Sequence, residues 1–459
     1  MNGHFGGIRQ RGLSLIELMI AMVLGLLVSA GVISVFTSVS KSDQAQTQLA
    51  RLQEEGRFAI TQIKNDLAMS GGQYCTNTGG NAQPSTATPY LDGLRAPTVY
   101  ASDASALIKA LSDVTTPWGS PYPPAPTEPY SLPSFFAMRG YDCTTNDCTP
   151  MDPSNKRNPR GFSIPAMGTT VGNRVLGASV ITVRYLNPSG GWTIAPDGSA
   201  AGSTLVNNID GTLTVRLDSK SSKPAVADFQ PGDPLAMLAD CSNAQIFEVS
   251  GQGSPQLTST GNNFVQPAVL QNLVAPKLFD VSRDFQTVTY YLQVVDNGDG
   301  MGHTTGALKR RVNGGNTAVR GGSAEEIARG VERLDFKYGV QLASGRVRYY
   351  TASQVDNSTR ADCPPVPMPI QGSDDHGCLW RSVSLIEIDL LLDGQQPLYS
   401  LTPDELAYTY TADSPPNRSP VPESPTAGDR KVTPVQQGFP LPMLRREFTA
   451  VVAVRNFNP

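Results

Sequence analysis

Glu17 stands alone in an apolar run: from Leu13 to Phe36 the chain carries no other charge. A carboxylate in hydrocarbon costs several kcal/mol, with estimates from ~2.5 upward, so such a group is kept for a partner. A second chemistry belongs to the six cysteines, Cys75, Cys143, Cys148, Cys241, Cys363 and Cys378. Their number is even and no C-x-x-C occurs, whereas zinc sites use short paired spacings. Beside an export segment this pattern reads as disulfides in an oxidising compartment. The third chemistry is oxygen ligation. Asp296-Asn297-Gly298-Asp299-Gly300 hints at calcium, and Asp374-Asp375-His376 lies beside Cys378.

Each of these has a plainer reading. An EF-type loop needs acids at its first, third and fifth positions and a Glu at the twelfth. Here the third, fifth and twelfth are Gly298, Gly300 and Ala307, so Asp296 and Asp299 are expected to build a hairpin tip, with calcium as the weaker reading. Asp374-Asp375-His376 reads as a solvated turn in a disulfide loop. For the cysteines, Cys143 and Cys148 enclose a short loop, and Cys363 and Cys378 enclose a Pro- and Gly-rich one. That leaves Cys75 with Cys241. Other pairings, and unpaired buried thiols, stay open.

The element that must position Glu17 is a helix. As a helix, Leu13–Phe36 is about 36 Å long at the rise of ~1.5 Å per residue, enough to cross a ~30 Å hydrocarbon core. Arg9 and Arg11 precede it with no acid, which favours cytoplasmic retention of the leader. A secretory signal cut near Val28-Ser29-Ala30 and a plain membrane anchor are two readings. Against the first, a carboxylate inside the apolar core of a signal is unusual, and the helical pattern runs past the cut. Leu49, Leu52, Gly56, Ala59, Ile63 and Leu67 recur at steps of three or four, an amphipathic stripe expected to face a core. No proline falls between Gly12 and Met69, and Ser70-Gly71-Gly72 is the expected stop.

The third reading comes from a resemblance. Arg11-Gly12-Leu13-Ser14-Leu15-Ile16-Glu17 resembles the type IV prepilin motif. In that motif a peptidase cuts after the glycine, the new amine is methylated, and a Glu occupies the fifth mature position. The resemblance implies processing at Gly12/Leu13 and an assembly role for Glu17. The family's usual first residue is Phe, and Leu13 departs from it. In a staggered stack of helices, Glu17 of one subunit would meet the Leu13 amine of its neighbour, neutralising both charges and fixing the axial register.

Beyond the helix the chain turns loop-rich and β-rich. It has 459 residues, with 43 Gly, 37 Pro and only 17% charged residues. That composition argues against a helical bundle, and 39% hydrophobic residues argue against wholesale disorder. Residues 71–175 read as a Pro/Gly/Ser-rich loop insertion with short strands laid over a sheet. Strand signals then become regular. Leu205–Asn208 and Leu213–Leu217 flank Ile209-Asp210-Gly211, and Thr287–Val295 and Ala307–Val312 flank the Asp296–Gly300 turn. Leu334, Phe336 and Tyr338 alternate, as do Ile386, Ile388, Leu390 and Leu392, and Phe448–Arg455 is the last strand. A Pro-rich loop, 414–442, precedes that strand.

Leu238–Phe247, Thr287–Leu292, Leu308–Val312, Gly330–Gly339 and Arg446–Asn456 are similar to blocks of the PilW-type minor pilins. They are also similar to the J-type minor pseudopilin of type II secretion. The resemblance implies an α+β, type IV pilin-like fold: a leader at 1–12, the membrane and assembly half of a helix at 13–36, its amphipathic half at 37–70 packed on antiparallel sheet, and a β-rich domain at 176–459. It implies a non-enzymatic, cofactor-free subunit of a pilus-tip complex that starts fibre assembly. Its partners would be other minor pilins, the major pilin, a tip adhesin and the prepilin peptidase. It would sit in the inner membrane with its C-terminal domain periplasmic, then at the pilus tip. The rival readings are a type II secretion pseudopilin and a membrane-anchored secreted binding protein.

Chemistry of other classes has no motif: H-E-x-x-H, P-loop and G-x-S-x-G are absent, and past Gly12 only His303 and His376 remain. A net charge of −4 gives no general attraction to nucleic acid.

Overall fold

The computed structural model describes residues 14–72, 74, 97–112, 124–154, 163–187, 189–195, 202–218, 235–240, 244–253, 256–267, 276–315, 322–342, 344–359, 361–363, 376–399, 402, 407–412, 417–419, 432–440 and 442–455.

Helix α1 runs unbroken from Leu15 to Ala68, roughly 80 Å at the usual rise per residue. Ser14 starts it and the chain leaves it at Gly71, which takes the left-handed conformation (φ 69°) where a side chain would be strained. The helix has two halves of different chemistry. Residues 15–39 are exposed all round, including Leu15, Leu26 and Phe36, and the segment is long and apolar enough to cross a membrane. From Gln48 onward one face is buried: Leu52, Gly56, Ala59, Ile63 and Leu67 form the expected stripe, with Leu49 half-buried at its margin.

That stripe docks on two antiparallel sheets. The first contains β1 (Met138–Cys143), β2 (Cys148–Thr149), β3 (Val180–Leu186), β4 (Phe285–Asp296), β5 (Thr304–Val312) and β6 (Ser323–Arg329), in the order β6-β5-β4-β3-β1-β2. The second contains β7 (Val331–Gln341), β8 (Val347–Tyr350), β9 (Val383–Asp393) and β10 (Arg445–Ala453), in the order β8-β7-β9-β10. The helix touches β6, β9 and β10, and one core joins it to both sheets. Leu334, Phe336 and Tyr338 of β7 pair across from Leu390, Ile388 and Ile386 of β9, so the alternation seen in the sequence is the inward face of this sheet. The helix meets β10 at Gly56, where an added Cβ would lie 2.6 Å from the Phe448 ring.

A third sheet of short strands has its own small core around Trp192, Val215, Phe247 and Leu278. Its hairpins pair Thr204–Asn207 with Leu213–Arg216, as the Ile209-Asp210-Gly211 turn predicts, and Leu235–Ala239 with Ala244–Gly253. Thr98–Val99 joins it in parallel.

The 71–175 stretch does more than lie over a sheet. It supplies β1, inserted beside β3 with all six residues buried, and the helix Ala104–Ala110, whose Leu107 and Ala110 enter the main core. Within 414–442, Asn417–Ser419 pairs with Tyr408–Tyr410, and Pro434–Gln437 forms one helical turn.

Candidate assembly site

Ser14 and Glu17 close the start of α1 in a reciprocal capping box. The Glu17 N–H donates to Ser14 Oγ at 3.2 Å, and the Ser14 N–H donates to Glu17 Oε2 at 3.0 Å. In the apolar run Glu17 stands out only as a charge. The signal for its second role was present as S-x-x-E. The carboxylate therefore sits at the helix N-terminus, where orphan N–H groups and the dipole favour an anion. It is exposed, as are the apolar side chains around it, so nothing within the described residues of this chain covers the segment. Gly12 and Leu13, the expected processing residues, lie outside the described residues.

The other end of α1 is fastened by a buried acid that sequence reasoning did not single out. Asp66 accepts from Arg310 Nε (2.7 Å) and Nη2 (3.2 Å), from Tyr185 Oη (2.8 Å) and from Tyr290 Oη (2.5 Å). Burial, then the Asp66 charge and hydrogen bond, push both tyrosines far above their ordinary range. For Arg310, burial works against the charge, but the bonds from Asp66 outweigh it and raise the group. The cluster ties the amphipathic half of the helix to β3, β4 and β5 through charge-assisted bonds.

The calcium candidate has its oxygens engaged in a turn. Asp296 Oδ1 accepts from the Gly298 N–H, Asp299 Oδ1 from the Met301 N–H, and Asp299 Oδ2 meets His303 Nδ1. Among the described residues no three His, Cys, Asp or Glu side chains come together as metal ligands would. Above this tip lies an open polar cleft of about 520 Å³ lined by Arg51, Glu55, Asp299, Glu326, Arg329 and Gln396. Burial, and then the charges of Glu54 and Glu326 against that of Arg51, raise the Glu55 carboxyl. Lys309 and Arg329 already hold Glu326.

Asp374 and Asp375 lie outside the described residues. His376 Nε2 is 3.4 Å from Asp356 Oδ2, inside a buried network in which Asp356 also takes both Arg139 Nε and Nη2 and the Trp380 indole N–H. Burial works to raise Asp356, but His376, Arg139 and Trp380 together hold it below the ordinary carboxylate range.

Two disulfides, Cys143–Cys148 and Cys363–Cys378, are formed, with Cα atoms 4.0 and 6.0 Å apart. Cys75 and Cys241 lie outside the described residues. Missed entirely by the sequence reading is Arg174, fully buried against the first of these bridges.

Two family models match the chain. Residues 8–33 match the prokaryotic N-terminal methylation motif, which covers the Gly12/Leu13 junction and Glu17. Residues 289–456 match the type IV pilus-assembly protein W family, a little over a third of the chain. The second match takes in most of β4, all of β5 to β9, and β10. The chain thus combines an N-methylation motif and an exposed apolar helix with a PilW-type β-region. No curated protein and no solved structure matches it.

Proposed function

We propose that the protein is a minor pilin of the type IV pilus, a non-enzymatic subunit of the tip complex that primes fibre assembly. The observation that carries this reading is the exposed apolar half of α1, with Glu17 as its one charge, rigidly continuous with a half that is built into the PilW-type β-region. A membrane covers that apolar segment before assembly, with the β-region on the periplasmic side. A stack of neighbouring pilin helices covers it afterwards. Processing at Gly12/Leu13 by a prepilin peptidase frees an amine that is then methylated, and Glu17 of one subunit pairs with the amine of the next. The other minor pilins, the major pilin and a tip adhesin are the partners this role requires, and twitching motility and adhesion are the activities it serves.

The test separates the charge of Glu17 from its capping role. Glu17→Gln keeps an acceptor for the Ser14 N–H but removes the charge, and Glu17→Ala removes both. If pairing with the amine matters, each variant is made, cut and held in the membrane, since loss of a charge eases insertion. Each then gives fewer pili, because a broken buried pair costs about 3–5 kcal/mol. Normal pilus number in Glu17→Gln would refute the pairing.

A further inference from the structure

Arg174 is fully buried, and its guanidinium is aimed at a disulfide. Nη1 lies 3.1 Å from Cys143 Sγ and 3.4 Å from Cys148 Sγ, while Nε donates to the Pro165 carbonyl and Nη2 to Asp152 Oδ1 at 2.9 Å. Among the described residues Asp152 is its carboxylate partner, and that side chain is 46% exposed, so water competes for it. A buried cation with a half-solvated counter-ion is under-compensated. Burial accordingly pulls the Arg174 group down to about 10, with Asp152 opposing. The sulfur that would best complete its shell is an anionic one.

The two cysteines differ in exposure. Cys143 has no exposed surface, whereas Cys148 is 7% exposed and follows the exposed turn residues Asn146 and Asp147. The bridge closes a two-strand hairpin, β1–β2, at the edge of the first sheet, where β2 has no further strand partner among the described residues. Two further carboxylates lie on the same hairpin. Asp142 accepts from the Ala352 N–H, and Asp147 lies in the exposed turn.

We propose that Cys143–Cys148 is a thiol-exchange site, poised by Arg174 for reduction by a dithiol such as the active site of a two-cysteine thiol oxidoreductase. The incoming thiolate attacks Cys148 Sγ. The S–S bond breaks, and Cys143 Sγ leaves with the electron pair as a thiolate held by Arg174. The second thiol of the reductant, deprotonated, then displaces Cys148, which takes up a proton. The reductant is oxidised to its disulfide and gives two electrons to the protein. Of its two protons one goes to Cys148 and one to solvent, because Cys143 stays ionised. A neighbouring guanidinium lowers a thiol's pKa, and a more stable leaving thiolate leaves faster and shifts the equilibrium towards reduction. Cys363–Cys378 is the internal control: the described contacts of Cys378 Sγ are the Ser358 hydroxyl and the Thr359 carbonyl, neither of which is cationic.

The experiment titrates full-length, detergent-solubilised protein with mixtures of reduced and oxidised dithiothreitol, then labels thiols before and after complete reduction and reads each cysteine by peptide mass spectrometry. Cys143–Cys148 is expected to open at a reduced-to-oxidised ratio at least tenfold lower than Cys363–Cys378, which is about 30 mV for a two-electron couple. Asp152→Asn removes the competing carboxylate and leaves Arg174 in place, so it should lower that ratio further. Arg174→Gln should raise it by about tenfold. Thiolate absorbance near 240 nm should appear on reduction at neutral pH and be missing in Cys143→Ser. Equal ratios for the two bridges, or an unmoved ratio in a folded Asp152→Asn protein, would overturn the proposal, as would reduction without thiolate absorbance.

Discussion

The Asp66 carboxylate on α1 and the Arg310 guanidinium on β5 form a two-bonded ion pair at 2.7 and 3.2 Å, capped by the hydroxyls of Tyr185 and Tyr290. It sits at the last turn of the helix and fastens that turn to β3, β4 and β5, beside the apolar stripe that docks on β6, β9 and β10. Asp66→Ala would leave the largely buried Arg310 with only the half-exposed Glu325, 3.9 Å away, as its anion, and should cost about 3 kcal/mol. Tyr185→Phe and Tyr290→Phe should each cost about 1.5–2 kcal/mol, because each removes a hydrogen bond to the charged carboxylate and leaves the ion pair. Denaturant unfolding of the three variants checks the order. A neutral Asp66→Ala would mean that the lock is ornamental.

Gly56 lets the helix approach β10. Gly56→Val drives two methyls at the Phe448 ring, and overpacking of this kind costs typically about 1–3 kcal/mol. Phe448→Leu should relieve much of that cost when combined with Gly56→Val, although alone it destabilises. A double-mutant cycle on melting temperature reads the coupling. Additive costs would show that the two residues do not meet.

Asp393 sets a pH dependence. Its carboxylate is buried at the end of β9, accepting from the Thr305 hydroxyl and the Gln395 N–H at 2.7 Å each. Burial, and then the charge of Glu332, push it up to about 8. Between roughly pH 4 and pH 8 the folded chain holds a proton there that the unfolded chain has lost. Stability from this group is therefore greatest in mild acid and falls as pH rises, by at most about 1.4 kcal/mol per pH unit. Asp393→Asn removes the slope. Urea unfolding at pH 5, 6.5 and 8 should show the variant gaining on the parent as pH rises, and parallel stabilities would contradict the assignment.

Much of this architecture is legible in the residues, and what is not has physical causes. The length of α1, its two chemistries and its end at Gly71 follow from an apolar run, an i, i+3, i+4 stripe and a glycine stop. The hairpins around Asp210-Gly211 and Asn297-Gly298 follow from turn chemistry. Asp66 was invisible because an acid beside Ile63 and Leu67 reads as the solvent edge of the stripe, and its cation comes from a strand more than two hundred residues away. β1 was invisible because both its faces are buried, including Arg139 paired with Asp356, so Met138–Cys143 has no polar–apolar alternation to read. Arg174 carries no local signal, since its site exists only where the β1–β2 hairpin folds back on it. At the candidate site the sequence points to Glu17 and to the short Cys143–Cys148 loop, but not to the second use of either.

Cleavage at Gly12/Leu13 is tested most directly by the mass of the mature N-terminus from the membrane fraction and from sheared pili. The prediction is a chain beginning at Leu13 with a methylated amine, and in Gly12→Val an uncut precursor about 12 residues longer, since a side chain there blocks a peptidase that fits glycine closely. An N-terminus near Gly31, or normal maturation of Gly12→Val, would contradict it.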